Sequence, residues 1–246
     1  MRLIAGPSAR FAVGVAVLAF AFVQAQVVPT PANPDLEVED ARVLYLEDLD
    51  LLVFEQQVAG EAGGTIPEAA GQLDGAPVLG YVFPTTLDPV NVGFAEVEGI
   101  LALVVVFHPD FDDTPLWDED GDGRTDNDGR IYHTHWVVLV EDDSVPGGLA
   151  VRETMDANLD ELLPATHPGM ELYLDSPGFS VVLQGDTLKV LVPAARVLGE
   201  TGFAFDAVTA YLEVNTSDEG RPMLGVYEVY GVLSGDLSLP FEVQSE

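Results

Sequence analysis

The sequence predicts an all-β fold: a single β-sandwich of about ten mostly antiparallel strands, with one short helix and a long hairpin loop. Three observations carry this. Apolar runs rich in Val, Ile, Phe and Tyr recur at strand length along residues 36–246, with clusters of Gly, Pro, Asp and Asn between them. Only Glu153 to Leu163 shows apolar residues at helical spacing, with Met155, Leu159 and either Leu162 or Leu163 on one side and Pro164 ending the run. Finally, 48% of the 246 residues are hydrophobic, enough to fill a large core despite a formal charge of −33.

The chain opens with Arg2 and Arg10 flanking the start of an apolar run, Phe11 to Val23, and Val23 and Ala25 occupy the small-residue positions of a cleavage site. Residues 1–25 therefore read as a signal peptide, which implies a secreted or periplasmic protein. No membrane span is expected after processing, because no later segment is long and apolar enough. Residues 26–35 read as a Pro-rich spacer and 36–246 as one sandwich domain. Strands are expected at 36–46, 49–58, 77–83, 96–107, 131–140, 149–152 and 170–174. Others are expected at 179–183, 187–192, 207–214 and 225–233, with a last short one near 239–243. The Gly- and Ala-rich stretch 59–76 reads as a surface connection.

Removing residues 1–25 takes away two Arg and no acid, which leaves 42 acidic against 7 basic groups, a formal −35. Such a surface repels phosphate backbones, so nucleic acid is not an expected partner. The scarcity of lysine, Lys189 being the one example, fits a salt-rich setting, whereas the density of carboxylates at 110–128 fits local cation sites. There is no Cys, so disulfides and thiolate ligands are excluded.

Those carboxylates lie between two apolar strands, in the stretch FHPDFDDTPLWDEDGDGRTDNDGRIYHTHWVVLV from Phe107 to Val140. Asp118, Asp120 and Asp122 alternate, and Gly123 follows. A loop curling round a hard cation presents every second side chain to it. This run resembles the D-x-D-x-D-G start of the calcium loops of EF-hand, dockerin and thrombospondin type 3 sequences. The resemblance implies calcium held by Asp118, Asp120, Asp122 and the Arg124 carbonyl, with Asp126 in the often water-mediated place. The sequence departs from that pattern at Gly129, which stands where a bidentate Glu belongs, and at Thr125. Asp128 can replace the missing Glu. The flanks read as strands, so an EF-hand proper is not expected.

The same hairpin carries His108, His133 and His135. An H-x-H pair on a strand puts both imidazoles on one face, and hairpin pairing brings His108 near them. Asp110, Asp112 and Asp113 follow His108, and Asp110 is taken as the first carboxylate candidate. Imidazoles with a carboxylate suit zinc, copper or iron. Histidines paired with carboxylates for purely structural reasons are the competing reading. His167, with Met170 three residues on, reads as haem ligation or as a surface turn. Trp117, Tyr132 and Trp136 flank the loop and read either as a platform for a glycan or small molecule or as packing anchors. Asn215-Thr216-Ser217 fits a glycosylation sequon.

Residues 185–214, GDTLKVLVPAARVLGETGFAFDAVTAYLEV, resemble the closing half of extracellular sandwiches of the DOMON and carbohydrate-binding-module type. There a strand ends in Val-Pro and a short turn precedes a strand on the opposing sheet. No G-x-S-x-G, H-E-x-x-H or phosphate-binding Gly loop is present. Two functional classes follow: an exported calcium-binding β-sandwich acting as a binding or structural module, and a hydrolytic or redox metalloenzyme built on His108, His133 and His135.

Overall fold

The computed structural model describes residues 33–114, 116–154 and 158–246; the expected signal peptide and most of the spacer lie outside them. Its first strands are β1 (Val38–Leu46), β2 (Leu51–Val58), β3 (Pro77–Pro84), β4 (Ile100–Phe107), β5 (His133–Glu141) and β6 (Leu149–Val151). After one helical turn, α1 (Leu159–Leu162), come β7 (Leu174–Asp175), β8 (Ser180–Gln184), β9 (Thr187–Pro193) and β10 (Ala204–Phe205). The last are β11 (Val208–Val214), β12 (Leu224–Val232), β13 (Phe241–Glu242) and β14 (Gln244–Ser245).

The chain is all-β, but it is not a single sandwich. Strands β3, β4, β5, β6, β12 and β11 pair in that order, and β11 returns to β3, so six antiparallel strands close into a barrel. A second sheet, in the order β14-β1-β2-β9-β8, packs on the barrel, and β10 with β13 forms a small ribbon. The reason lies in strands that are apolar on both faces. β3 is buried throughout, β4 from Leu101 onward and β5 from His133 to Leu139. A sandwich strand with one wet face alternates, whereas these strands form a wall between two cores.

Residue parity assigns each side chain to its core. Val82, Ala102, Val104, Val106, Val137, Leu139, Val208, Ala210 and Leu212 fill the barrel. Their alternates Tyr81, Phe83, Leu101, Leu103, Val105, Trp136 and Val138 face the second sheet, where they meet Val43, Phe54, Leu188, Val190 and Val192. Residues 185–214 cross between the layers: β9 lies in the second sheet and β11 in the barrel, with the Val192-Pro193 turn between them. Of the helix expected at 153–163 only α1 forms among the described residues. Glu153 instead bridges to Leu172, and Met155 lies outside those residues.

Phe54 joins the layers, its ring 5.4 Å from Phe83, 5.9 Å from Phe203 and 6.3 Å from Trp136. Phe54→Ala is expected to cost about 3–5 kcal/mol in urea unfolding. Leu183→Ala, at a side chain 39% exposed, is expected to cost under about 0.5 kcal/mol.

Candidate metal centre

Pairing of β4 with β5 sets Val104 opposite His135 and Val106 opposite His133. Both histidines therefore continue the inward face of Val137 and Leu139. His108 follows Val106 by two residues and continues the inward face of β4. Three imidazoles thus meet at one end of the barrel, and the hairpin loop folds Asp113 in among them. All four side chains are buried: His108 is 1% exposed, Asp113 6%, His133 0% and His135 2%.

Their ligand atoms converge. Asp113 Oδ1 lies 3.0 Å from His108 Nε2, 3.3 Å from His135 Nε2 and 3.4 Å from His133 Nε2, and the Nε2 atoms of His108 and His133 are 2.8 Å apart. An ion with tetrahedral ligands about 2.0–2.1 Å away has ligand–ligand edges of roughly 3.3–3.4 Å. The four side chains could hold a metal ion.

The opposite ring nitrogens settle the protonation pattern. His108 Nδ1 donates to the Phe111 carbonyl at 2.8 Å, His133 Nδ1 to the Ile131 carbonyl at 2.9 Å and His135 Nδ1 to the Asp175 carbonyl at 3.2 Å. A carbonyl only accepts, so every Nδ1 carries hydrogen and every neutral ring aims an Nε2 lone pair at the centre. Ser176 ties two ligands together: its hydroxyl donates to the Asp113 carbonyl at 2.8 Å and accepts from His135 Nδ1 at 3.1 Å.

Burial pushes the Asp113 carboxyl toward neutrality, but the adjacent His135 and His108 outweigh it and hold the group well below the usual carboxylate range. Burial also works against charge on His108, yet the Asp113 carboxylate raises its pKa. Burial, reinforced by the other two rings, lowers His133 to about 4. A proton between His108 and Asp113 quiets one edge of the cluster. It leaves His135 Nε2 buried with no hydrogen-bond partner. One metal ion would satisfy all four donors together.

Comparison with protein-family models, with curated proteins and with solved structures returns no match in any of the three.

Of the carboxylates after His108, the structure brings in Asp113. Asp110 is half-buried and accepts from the Ala70 and Gly71 amides at 2.9 and 2.6 Å, outside the imidazole cluster. Asp112 holds the turn, accepting from Thr114 N and Oγ1 and, at 3.3 Å, from Asp128 N. Ser176 and Asp175, 41 and 40 residues from His135, reach the cluster because β7 pairs with β5. No local pattern signals them.

Further along the loop, Asp118, Asp120 and Asp128 gather into a second cluster able to hold a cation. The Asp122 amide donates to both Asp118 and Asp120, and the Gly123 amide donates to Asp118 Oδ2 at 2.8 Å, so the loop curls round its own carboxylates. Asp128 is 0% exposed, and its Oδ2 has no hydrogen-bond partner. Asp122 turns to the Arg124 amide and Asn127, and Asp126 pairs with the Arg124 side chain in solvent.

The remaining candidates lie elsewhere. His167 has Asp160 and the Gly169 amide as partners, while Met170 lines the barrel interior. Trp136 is 1% exposed between the layers, Tyr132 hydrogen-bonds the Thr65 carbonyl, and Trp117 hydrogen-bonds the Ser176 carbonyl. All three act as packing or loop anchors. The Asn215 amide is bound to the carbonyls of Asp218 and Arg221.

Gly129 joins the two clusters. Its carbonyl accepts from His108 N at 2.8 Å, and a Cβ there would lie 2.0 Å from the Phe111 carbonyl oxygen and 2.7 Å from His108 Nδ1. Gly129→Ala is expected to displace His108 and weaken metal binding about 10- to 100-fold by calorimetric titration. Burial, then the charge of Asp128, pushes the Glu119 carboxyl up to about 7 from an ordinary 4.5. Between those values the folded chain keeps a proton that the unfolded chain has lost, so Glu119 makes metal-free protein less stable as pH rises. Unfolding of the Glu119→Gln variant in chelator is expected to show a shallower fall in stability across that window than the parent.

Proposed function

We propose that this chain is an exported metal-binding β-barrel protein. His108, Asp113, His133 and His135 hold one first-row divalent transition ion, zinc fitting best, and the acidic tip holds calcium that keeps the loop carrying Asp113 in place. The observation that carries the reading is the meeting of four buried ligand atoms, at which Asp113 Oδ1 faces three imidazoles at once and His135 Nε2 has no hydrogen-bond partner. Three imidazoles and a carboxylate suit zinc, iron or copper better than calcium, and four protein donors complete a tetrahedral sphere of the structural kind. Export is supported by the leader-like residues 1–25, and calcium by the D-x-D-x-D-G run together with the buried, unpartnered Asp128 Oδ2.

A second reading, a metalloenzyme, is favoured by one observation. His108, Asp113 and His135 line the barrel interior, so a molecule inside the barrel would touch the metal's ligands. Elemental analysis of protein purified without added metal tests both readings. Close to one transition ion per chain is expected, and a chain that carries none and gains no thermal stability from zinc overturns the proposal. Asp113→Asn is expected to lose at least about tenfold in zinc affinity and most of the zinc-induced rise in unfolding temperature, with Ser176→Ala intermediate. Acidification is expected to release the metal, because protons compete for the Nε2 lone pairs.

Calcium is tested separately. Addition of a calcium-selective chelator is expected to lower the unfolding temperature of the parent and to leave Asp128→Asn unmoved. An identical response from the two proteins would remove calcium from the proposal.

A further inference from the structure

We propose that the barrel interior is a binding chamber for a molecule of diatomic size, seated against the metal-ligating side chains. The proposal deepens the metal-centre reading and rests on it for the identity of the chamber's polar end.

The chamber has a volume of ≈ 70 Å³ and is walled by side chains such as Val82, Val104, Val137 and Ala210, with His108, Asp113 and His135 at one end. Its origin lies in small residues at inward positions. Ala210 and Gly80 are direct cross-strand partners, and Gly80 faces Val106 with no side chain of its own. Val106 fills the space over Gly80, its Cγ1 3.1 Å from where a Cβ would stand, and Ala210 lines the chamber with a single methyl group. The strands around them are hydrogen-bonded on both edges and packed against a second core, so the wall cannot relax inward to close the gap.

The lining decides what the space accepts. A buried water needs two to four polar partners, and the wall supplies none. At the polar end the imidazole Nδ1 atoms are already engaged with carbonyls, and a bound metal would engage Nε2 and Asp113 Oδ1. Water is therefore a poor occupant. Size then narrows the class: an apolar cavity of about 150 Å³ takes benzene, so one of half that volume excludes a ring and accepts a diatomic gas or a single xenon atom. Zinc held by four protein donors has a closed sphere, but ferrous iron in an imidazole–carboxylate site leaves positions open, and the apolar chamber is the side from which an uncharged ligand would reach it. Dioxygen, nitric oxide and carbon monoxide share the required size, apolarity and affinity for iron.

Xenon and nitric oxide are the probes. Crystals of the metal-loaded protein under xenon pressure are expected to show one xenon inside the barrel between Val104, Val137 and Ala210, and metal-stripped crystals are expected to show the same atom. Protein loaded with ferrous iron is expected to bind nitric oxide with the electron paramagnetic resonance signal of a high-spin ferrous nitrosyl. Ala210→Leu is expected to abolish xenon binding and weaken nitric oxide binding at least tenfold while iron content stays at one per chain. Absence of xenon in the parent barrel overturns the chamber and leaves the metal centre intact. Unchanged nitric oxide affinity in Ala210→Leu overturns contact between chamber and metal. Xenon in a chain that takes up no metal supports the chamber, and overturns the metal reading and with it that contact.

Discussion

Three imidazole lone pairs and a carboxylate oxygen, all within 4.8 Å of one another where water does not reach, repel unless a positive charge lies among them. The surrounding structure is arranged so that they cannot avoid meeting. Backbone carbonyls fix each ring's tautomer, the pairing of β4 with β5 fixes two rings on one face, and Ser176 fixes the backbone of Asp113. A single proton relieves part of this repulsion, between His108 and Asp113, where the shifts of both groups favour an ion pair. His135 is left over.

The double-faced wall makes this burial possible. Strands β3, β4 and β5 lie between the barrel interior and the second sheet, so their backbone is shielded from both sides and their ends form a rigid rim. Ligands on such a rim lose little freedom when they bind an ion, which is how a site on strands gains affinity over one on a loop. The exception is Asp113, supplied by the loop itself. It is held through Asp112, Asp128 and Gly129, the residues that also shape the acidic tip, and so the two clusters share one short piece of backbone.

Much of this was legible in the sequence. Strand positions followed from runs of branched residues, the β4–β5 hairpin from the apolar segments around the loop, and the convergence of His108, His133 and His135 from the two-residue period. Barrel closure was not legible, because it depends on a join between β6 and β12 that are far apart in the chain, and because continuous apolar strands look alike in a sandwich core and in a barrel wall. The choice between Asp110 and Asp113 was equally hidden. Both lie within five residues of His108, and only the turn held by Asp112 decides which carboxylate points inward. Of the acidic run, alternation marked Asp118 and Asp120, but the pairing of Asp126 with Arg124 follows from a side-chain contact that spacing does not encode.

The join between β6 and β12 is the shortest in the ring. A single residue pair, Gly225 with Ala150, spans it, supported by the Gly147 amide on the Val226 carbonyl and the Met223 amide on Glu153. Its neighbour, β11 with β12, is paired from Val208 to Val214. A closed cylinder opens where fewest hydrogen bonds must break, so this seam is where thermal breathing would first part the wall. Traffic between solvent and the interior would then be governed by how often two glycines and an alanine let go, far from the charged tip that dominates the surface.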